Sequence, residues 1–206
     1  MSPVPRLGTV GYSALILKGE DIVVLLKLAD EPEGWTLRSL EGAIAIPRSV
    51  IHRSVGRLSA AGLLDATDGR VNASQAEEFL IHGVRYVFPP ILGGETRGIP
   101  TAWAAPPLSL ELATAGDLPP VWPDPMGQVR GIALSPLHAA AAEISRRDPQ
   151  LAERLALIDG LRLGDARVRG LAATLLAEGF TVADDDASTH PDGADLPPPI
   201  PYYGIV

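Results

Sequence analysis

Hydrophobic and polar positions at the start of the chain repeat with the period of an α-helix. In "EDIVVLLKLAD", residues 20–30, apolar side chains follow the spacing i, i+3, i+4 and i+7, which predicts one buried helix face. The members of that face are Ile22, Leu25, Leu26 and Ala29. A turn at "EPEGW" follows, and Thr36 is suited to cap a short second helix at about Leu37–Ile44. The pattern therefore predicts two helices in close succession.

A third helix is predicted from Pro47 to Ala61, since proline favours the first turn of a helix and Gly62 favours its end. Its apolar face consists of Ile51, Val55 and Leu58. Its opposite face carries arginines and no acid, and presents Arg48, Ser49, His52, Arg53 and Arg57. A solvated helix face usually carries both signs of charge, so this face favours an anionic partner.

The segment after the third helix, "LLDATDGRVN", predicts a hairpin, because two short extended pieces flank Asp68-Gly69, a dipeptide typical of tight turns. Helix, short helix, turn, basic helix and hairpin follow one another as in a winged helix-turn-helix. Residues 19–72, which are 54 of the 206, resemble the winged-helix domain of bacterial regulators related to the multiple-antibiotic-resistance (MarR) regulators. Two positions depart from that pattern: Ala45 replaces the usual glycine of the turn, and Glu41 replaces a small buried residue.

The resemblance implies that the third helix enters the major groove of double-stranded DNA, while arginines and the wing contact phosphates. The base-reading candidates are Arg48, Ser49 and His52. The phosphate-binding candidates are Thr36, Arg38, Arg53, Arg57 and Arg70. The implied function is that of a sequence-specific bacterial transcriptional regulator, acting as a repressor.

An alternative interpretation needs no nucleic acid. Winged helices also serve as protein–protein interaction modules, and 15 of the 17 basic residues are arginine, so composition alone can produce a basic helix. The formal net charge of −8 does not exclude DNA binding, because residues 181–206 contribute five aspartates and no basic residue. Residues 37–72, by contrast, hold five arginines against three acids.

The middle of the chain is rich in proline, with nine of the 20 prolines between Pro89 and Pro125. This density excludes long helices and predicts an ordered loop with short strands. We expect the preceding helix to end near Gly83, "RYVF" to be extended, and "VWPDPMGQVRGIAL" to form a hairpin. "RYVFP" followed by "TRGIPTA" is also similar to a group of uncharacterised bacterial winged-helix proteins.

The aromatic residues of this middle region admit two interpretations. They either line a pocket for a flat small-molecule effector or form the core of a small accessory subdomain packed on the winged helix. The residues considered for an effector pocket are Tyr86, Phe88, Arg97, Trp103 and Trp122.

Helical spacing returns after residue 135. Asp148-Pro149 predicts a helix start, and "DPQLAERLALIDGLRL" and "DARVRGLAATLLAEGF" are both amphipathic. Their apolar faces contain Leu151, Leu155 and Ile158 in the first helix, and Val168, Leu171 and Leu175 in the second. In the resembled family such helices form a dimer interface, which predicts a homodimer. Packing within the chain is the alternative.

The chain is therefore divided into four segments of an α+β, mainly α protein. These are a winged helix-turn-helix domain at 1–84, a proline-rich and aromatic accessory subdomain at 85–134, C-terminal helices at 135–180, and an acidic, proline-rich tail at 181–206. The tail has three interpretations: a competitor that covers the arginine face electrostatically, a solubilising segment, or a partner-docking peptide.

Motifs of catalysis are missing from the sequence, which holds no HExxH, GxxxxGK, GxSxG or GxGxxG. Its four histidines are scattered and it has no cysteine, so we expect no enzyme activity, no metal site and no cofactor. No apolar run reaches the roughly 18 residues of a membrane span, and no export signal is recognised, so a soluble cytoplasmic protein is expected.

Overall fold

The computed structural model of the chain describes residues 16–30, 35–65, 67–112 and 118–186, with side chains up to residue 180. Its helices are α1 (Gly19–Asp30), α2 (Leu37–Ile44), α3 (Arg48–Ala60), α4 (Ala73–Glu78), α5 (Val84–Val87), α6 (Leu108–Glu111), α7 (Ala141–Arg147), α8 (Pro149–Leu163) and α9 (Ala166–Asp186). Its strands are β1 (Leu92–Pro100), β2 (Pro120–Pro123) and β3 (Val129–Leu134). The protein is α+β and mainly helical, as predicted. None of the described helices is long and apolar enough to cross a membrane.

The first helix, α1, is buried on all sides rather than on the one face that its periodicity predicted. Val23, Val24 and Leu28 lie off that face and are as deeply buried as Ile22 and Leu25. A helix that is apolar around its circumference belongs in the interior of a fold. Other parts of the chain must therefore cover the side that was expected to face solvent.

The second helix, α2, has the bounds predicted for it, and its start is capped as expected. The Thr36 hydroxyl accepts a hydrogen bond from the backbone N–H of Ser39 at 3.0 Å, and the Ser39 hydroxyl accepts one from the backbone N–H of Thr36 at 2.9 Å. The third helix begins at Arg48, one residue later than predicted, with Pro47 as its N-cap. Between the two helices Ala45 has φ 53°, in the left-handed region that favours glycine. The turn thus keeps a glycine-like backbone although its residue is alanine.

The hairpin predicted after α3 is a short turn in which Leu64 and Val71 form an antiparallel bridge. Gly69 has φ 72°, and a Cβ at this position would lie 2.9 Å from the Trp35 ring. The turn therefore packs against the residue that precedes the cap of α2, and glycine is required there for both its conformation and its size.

The helix after this hairpin continues further than predicted. From α4 it runs through a five-residue π-helical turn, Phe79–Gly83, into α5, so that "RYVF" is helical as far as Val87 instead of extended. Gly83 does not end the helix, because its φ of −101° lies on the right-handed side. Leu80 and Val84 are buried on either side of it. Their packing outweighs the local stop signal of the glycine.

The three strands form a small closed sheet in which β1 pairs with both of the others. The first part of β1 is antiparallel to β3, and its end is antiparallel to β2. β2 and β3 lie parallel, with Pro120 opposite Ile132 and Val121 opposite Ala133. The hairpin predicted for "VWPDPMGQVRGIAL" is therefore wrong, since both of its strands take β1 as their antiparallel partner.

Glycines let these strands approach one another more closely than side chains would permit. A Cβ at Gly98 would lie 2.1 Å from the carbonyl oxygen of Trp122, and one at Gly131 would lie 2.1 Å from that of Pro119. On the same strand as Gly98, a Cβ at Gly94 would have nothing within 4 Å. Closure of the sheet thus depends on glycine at some positions and not at others.

We expect Gly98→Ala to lower the free energy of unfolding by about 2–3 kcal/mol, because the added methyl group must displace backbone atoms. Gly94→Ala is the matched control in the same strand and should change the stability by less than about 0.5 kcal/mol. Urea denaturation followed by circular dichroism measures both variants. Equal stability of the two would contradict the close approach at Gly98.

Helix α8, the first of the two long helices in the C-terminal part of the chain, lies at the centre of the fold. Asp148 caps it by accepting a hydrogen bond from the backbone N–H of Leu151 at 3.0 Å, and Pro149 is its first residue, as predicted. Buried residues occur around its circumference, and they include the predicted face of Leu151, Leu155 and Ile158. Side chains from α1 to α3, from the middle segment and from α8 and α9 form one continuous apolar cluster.

The last helix, α9, packs along α8 but buries a different face from the one predicted. The fully buried residues are Ala172, Leu176 and Phe180, whereas the predicted Val168, Leu171 and Leu175 are half-buried. The helix also continues to Asp186, beyond the boundary predicted at residue 180. The first six residues of the predicted acidic tail, 181–186, therefore belong to this helix, and the rest of the tail, 187–206, lies outside the described residues.

A buried polar network joins α8 to the middle segment. Asp159 is 1% exposed and accepts hydrogen bonds from the Thr101 hydroxyl at 2.8 Å and the Trp122 indole N–H at 2.7 Å. Arg162 donates to the same carboxylate at 2.5 Å and, from Nε, to the carbonyl oxygen of Phe88 at 2.8 Å. Burial raises the pKa of Asp159, whereas Arg162 and the two neutral donors favour its ionised form. The network thus holds three separate points of the middle segment, at Phe88, Thr101 and Trp122, on one helix.

Candidate nucleic-acid interface

One face of α3 is exposed along the length of the helix. Its residues follow helical spacing and comprise Ser49, His52, Arg53, Gly56 and Ala60, with Arg48 exposed at one border. A Cβ at Gly56 would have nothing within 4 Å, so the surface is open at that point. The face combines a polar, basic first half with a second half of small residues. Such a shape can enter the major groove of DNA, whose width admits an α-helix.

Arg57 does not belong to this face, contrary to the prediction from sequence. Its side chain is 6% exposed and donates twice to Asp21 of α1, from Nε at 2.7 Å and from Nη2 at 2.5 Å. Glu20 accepts a further bond from Nη2 at 3.3 Å. Hydrogen bonding to Asp21 raises the pKa of Arg57. Because its charge is neutralised inside the fold, Arg57 is left out of the candidate interface as a phosphate contact.

The start of α2 and the hairpin turn are brought together by Trp35, which packs against Gly69. Thr36 and Arg38 are exposed at the start of α2, and Arg70 is partly exposed on the hairpin. Three predicted phosphate contacts from two separate segments therefore lie in one neighbourhood. The Thr36 hydroxyl already accepts the capping hydrogen bond of α2, so Thr36 also stabilises the start of that helix.

Three acidic side chains border the candidate interface. Glu41 of α2 pairs with Arg48, whose Nε lies 2.8 Å from Oε2 of the carboxylate. Asp68 lies 3.7 Å from the guanidinium of the hairpin's arginine. Asp65 accepts a hydrogen bond from the backbone N–H of Thr67 at 2.6 Å, which lowers the pKa of this carboxyl group. The exposed face of α3 itself carries no acid, but the surface around it, with acids from α2 and the hairpin, mixes both signs of charge.

The acids of α1 that neutralise Arg57 were missed from sequence. Glu20 and Asp21 have the position of ordinary first-turn acids, and Asp21 also accepts a hydrogen bond from the backbone N–H of Lys18 at 2.8 Å. Asp21 is separated from Arg57 by 36 residues, so no local pattern joins them. The available signal was the apolar character of α1, since a charged residue in a buried helix needs a partner.

The five residues considered for an effector pocket lie in different surroundings. Tyr86 is 72% exposed, Arg97 is exposed on β1, and Phe88 and Trp103 are half-buried against the core. Trp122 is buried and lines a narrow crevice between α1, α7 and α8, and none of the other four lines that crevice. For Phe88, Trp103 and Trp122 this placement favours the interpretation as core residues. The effector itself stays a prediction.

Within the described part of the chain, no group of three or more His, Asp or Glu side chains is placed to hold a metal ion. No known protein family, characterised protein or solved structure matches the chain. Its function is therefore inferred from the geometry and charge of the surface on α2, α3 and the hairpin.

Proposed function

We propose that the chain is a bacterial winged helix-turn-helix regulator that binds double-stranded DNA in a sequence-specific way, with α3 as its recognition helix. The observation that carries this proposal is the exposed face of α3, where Ser49, His52 and Arg53 are followed by Gly56 and Ala60. The polar first half of this face offers hydrogen-bond donors to base edges, and its small second half lets the helix backbone come close to the DNA.

The neighbouring elements support the same arrangement. Arg38 at the start of α2 and Arg70 on the hairpin are exposed or partly exposed, so they can contact phosphates beside the groove that α3 occupies. The left-handed backbone of Ala45 gives the α2–α3 connection the conformation that a helix-turn-helix usually obtains from glycine.

A repressor role and a homodimer are further parts of the proposal, and they follow from the resemblance to MarR regulators. A cytoplasmic location is proposed as well, on the sequence alone. Within one chain α8 and α9 already pack on each other and on α1. The buried faces of these two helices are therefore occupied, and a homodimer would use other surfaces of the protein.

The acids beside α3 favour a second candidate function, a protein–protein interaction module without DNA binding. Glu41 and Asp68 place negative charge next to Arg48 and Arg70, and such mixed polar borders are typical of protein interfaces. The two functions differ in their response to salt. DNA binding falls steeply as salt rises, because each neutralised phosphate releases counterions.

Gly56→Glu tests the DNA-binding function at the centre of the exposed face. We expect this variant to weaken binding to genomic DNA fragments at least about tenfold, because the new carboxylate would face phosphates. A Cβ at Gly56 meets nothing within 4 Å, so the fold should accept the change. Fluorescence anisotropy at low and physiological salt measures the affinity, and circular dichroism verifies the fold.

The matched control is Gly170→Glu on α9, which makes the same change of residue and charge at another position where a Cβ meets nothing within 4 Å. It should bind DNA as tightly as the parent protein. If the parent protein retains no genomic fragment even at low salt, or if Gly56→Glu binds as well as the parent, DNA binding through α3 fails and the protein-docking function replaces it.

A further inference from the structure

The arginine at the start of α3 is held by a carboxylate from α2. Nε of Arg48 lies 2.8 Å from Oε2 of Glu41, and the backbone N–H of Arg48 donates to Oε1 of the same carboxylate at 3.3 Å. Both oxygens of Glu41 are therefore directed at one residue. The contact ties the side chain of Arg48 to the backbone that begins the proposed recognition helix.

This contact uses only one side of the guanidinium. The contact of the guanidinium with Glu41 involves Nε, and among the described residues neither terminal nitrogen has a hydrogen bond or ion pair, so the outer edge that they form is not engaged within the chain. The Arg48 side chain is 59% exposed, so this outer edge is open to a ligand. A planar arginine fork presented in this way matches the two acceptors of guanine in the major groove, O6 and N7.

We propose that Glu41 is a positioning residue that orients Arg48 to read a guanine, an inference that rests on the proposed DNA-binding function. Glu41 is 40% exposed, and exposed ion pairs add little to stability. The contribution of this pair is therefore the orientation that it gives to the Arg48 side chain. An arginine that is already held in one orientation loses less side-chain freedom when it binds. The negative charge of Glu41 also disfavours a phosphate at this place, which directs Arg48 towards bases.

Removal of single acceptor atoms from the DNA tests this inference. Duplexes that the parent protein selects from random sequence are resynthesised with 7-deazaguanine at each guanine in turn, which replaces N7 by C–H. At one guanine we expect the parent protein to lose about tenfold in affinity, because one arm of the bidentate contact is removed. Arg48→Ala should bind more weakly overall and should not respond to the substitution at that guanine.

Glu41→Gln keeps the size of the side chain and removes its charge. We expect it to bind random DNA at least as well as the parent protein, whereas its response to 7-deazaguanine should shrink from about tenfold towards about twofold. Glu178→Gln, an exposed acid of α9, makes the same chemical change away from the interface and should behave like the parent. Thermal unfolding verifies that both variants are folded.

The outcomes separate this inference from the function on which it rests. A parent protein that binds no duplex overturns the proposed function, and the guanine contact with it. A parent protein that binds DNA without any N7-sensitive guanine overturns the guanine contact alone. An N7 response that is equally large in the parent protein and in Glu41→Gln shows that Glu41 does not position Arg48.

Discussion

Arg57→Ala is expected to lower the free energy of unfolding by about 3–5 kcal/mol, the cost of removing one partner from a buried ion pair. The carboxylate of Asp21 is fully buried, and two of its hydrogen bonds come from the Arg57 guanidinium. Without that guanidinium, Asp21 retains the backbone N–H of Lys18 as its donor. Urea denaturation followed by circular dichroism measures the loss.

Arg53→Ala on the same helix is the control for this variant, and it should cost less than about 0.5 kcal/mol because Arg53 is exposed. Removing both charges, with Asp21→Asn and Arg57→Met together, should be less harmful than Arg57→Ala alone, since no unpaired charge then stays in the interior. If Arg57→Ala and Arg53→Ala are equally stable, Arg57 does not hold α3 to α1.

The second large effect is expected at Asp159. Asp159→Ala removes the acceptor of Thr101, Trp122 and Arg162 in a region closed to water, and leaves the Arg162 guanidinium without its counter-charge. We expect a loss of about 3–5 kcal/mol in the free energy of unfolding. The fluorescence of the native state should also change, because the indole N–H of Trp122 loses its hydrogen bond.

Asp165→Ala provides the comparison for Asp159. Asp165 is exposed and accepts a hydrogen bond from the backbone N–H of Val168 at 2.9 Å, so its removal should cost about 1 kcal/mol, as is typical of a lost helix cap. Calorimetry or urea denaturation resolves this difference. A loss at Asp159 no larger than that at Asp165 would mean that the buried network contributes little to holding the middle segment on α8.

Helix boundaries that are set by residues close together in the sequence were predictable from the sequence. The bounds of α2 were obtained from Thr36, whose hydroxyl accepts from a backbone N–H within the first turn of the same helix. The start of α8 follows in the same way from Asp148 and Pro149. In each case the residues that define the boundary lie within three positions of one another, so a short sequence window contains the whole interaction.

The position of Arg57 was not predictable in this way. Around the axis of α3 it lies about 40° from exposed Arg53 and about 60° from buried Ser54, which is the border between the two faces. A long side chain at such a border turns towards whichever partner the fold provides. Here that partner is Asp21 of α1, and no periodicity within α3 can reveal it. For this reason Arg57 was wrongly assigned to the exposed basic face of α3.

The strand pairing of the middle segment was hidden for a related reason. "VWPDPMGQVRGIAL" contains two strands with a turn between them, which locally resembles a hairpin. Both strands instead pair with β1, and close approach at Gly98 and Gly131 permits this arrangement. Whether a glycine marks a turn or a contact between strands depends on which segment lies opposite, and that is a property of the complete fold.

The burial of α1 on all sides has a consequence for the synthesis of the protein. Its Lys27 is hydrogen-bonded to Asp148, 121 residues further along the chain, at the start of the helix that completes the core. At ribosomal rates of about 5–20 residues per second, roughly 6–24 s separate the emergence of the two residues. The helices α2 and α3 emerge earlier and can pack on one side of α1, but throughout that interval the side that α8 and α9 cover stays exposed, which makes the nascent chain a target for chaperones. A fragment that stops before α8 would leave that side of α1 exposed permanently, so the three N-terminal helices are poorly suited to transfer into other proteins as a detachable module.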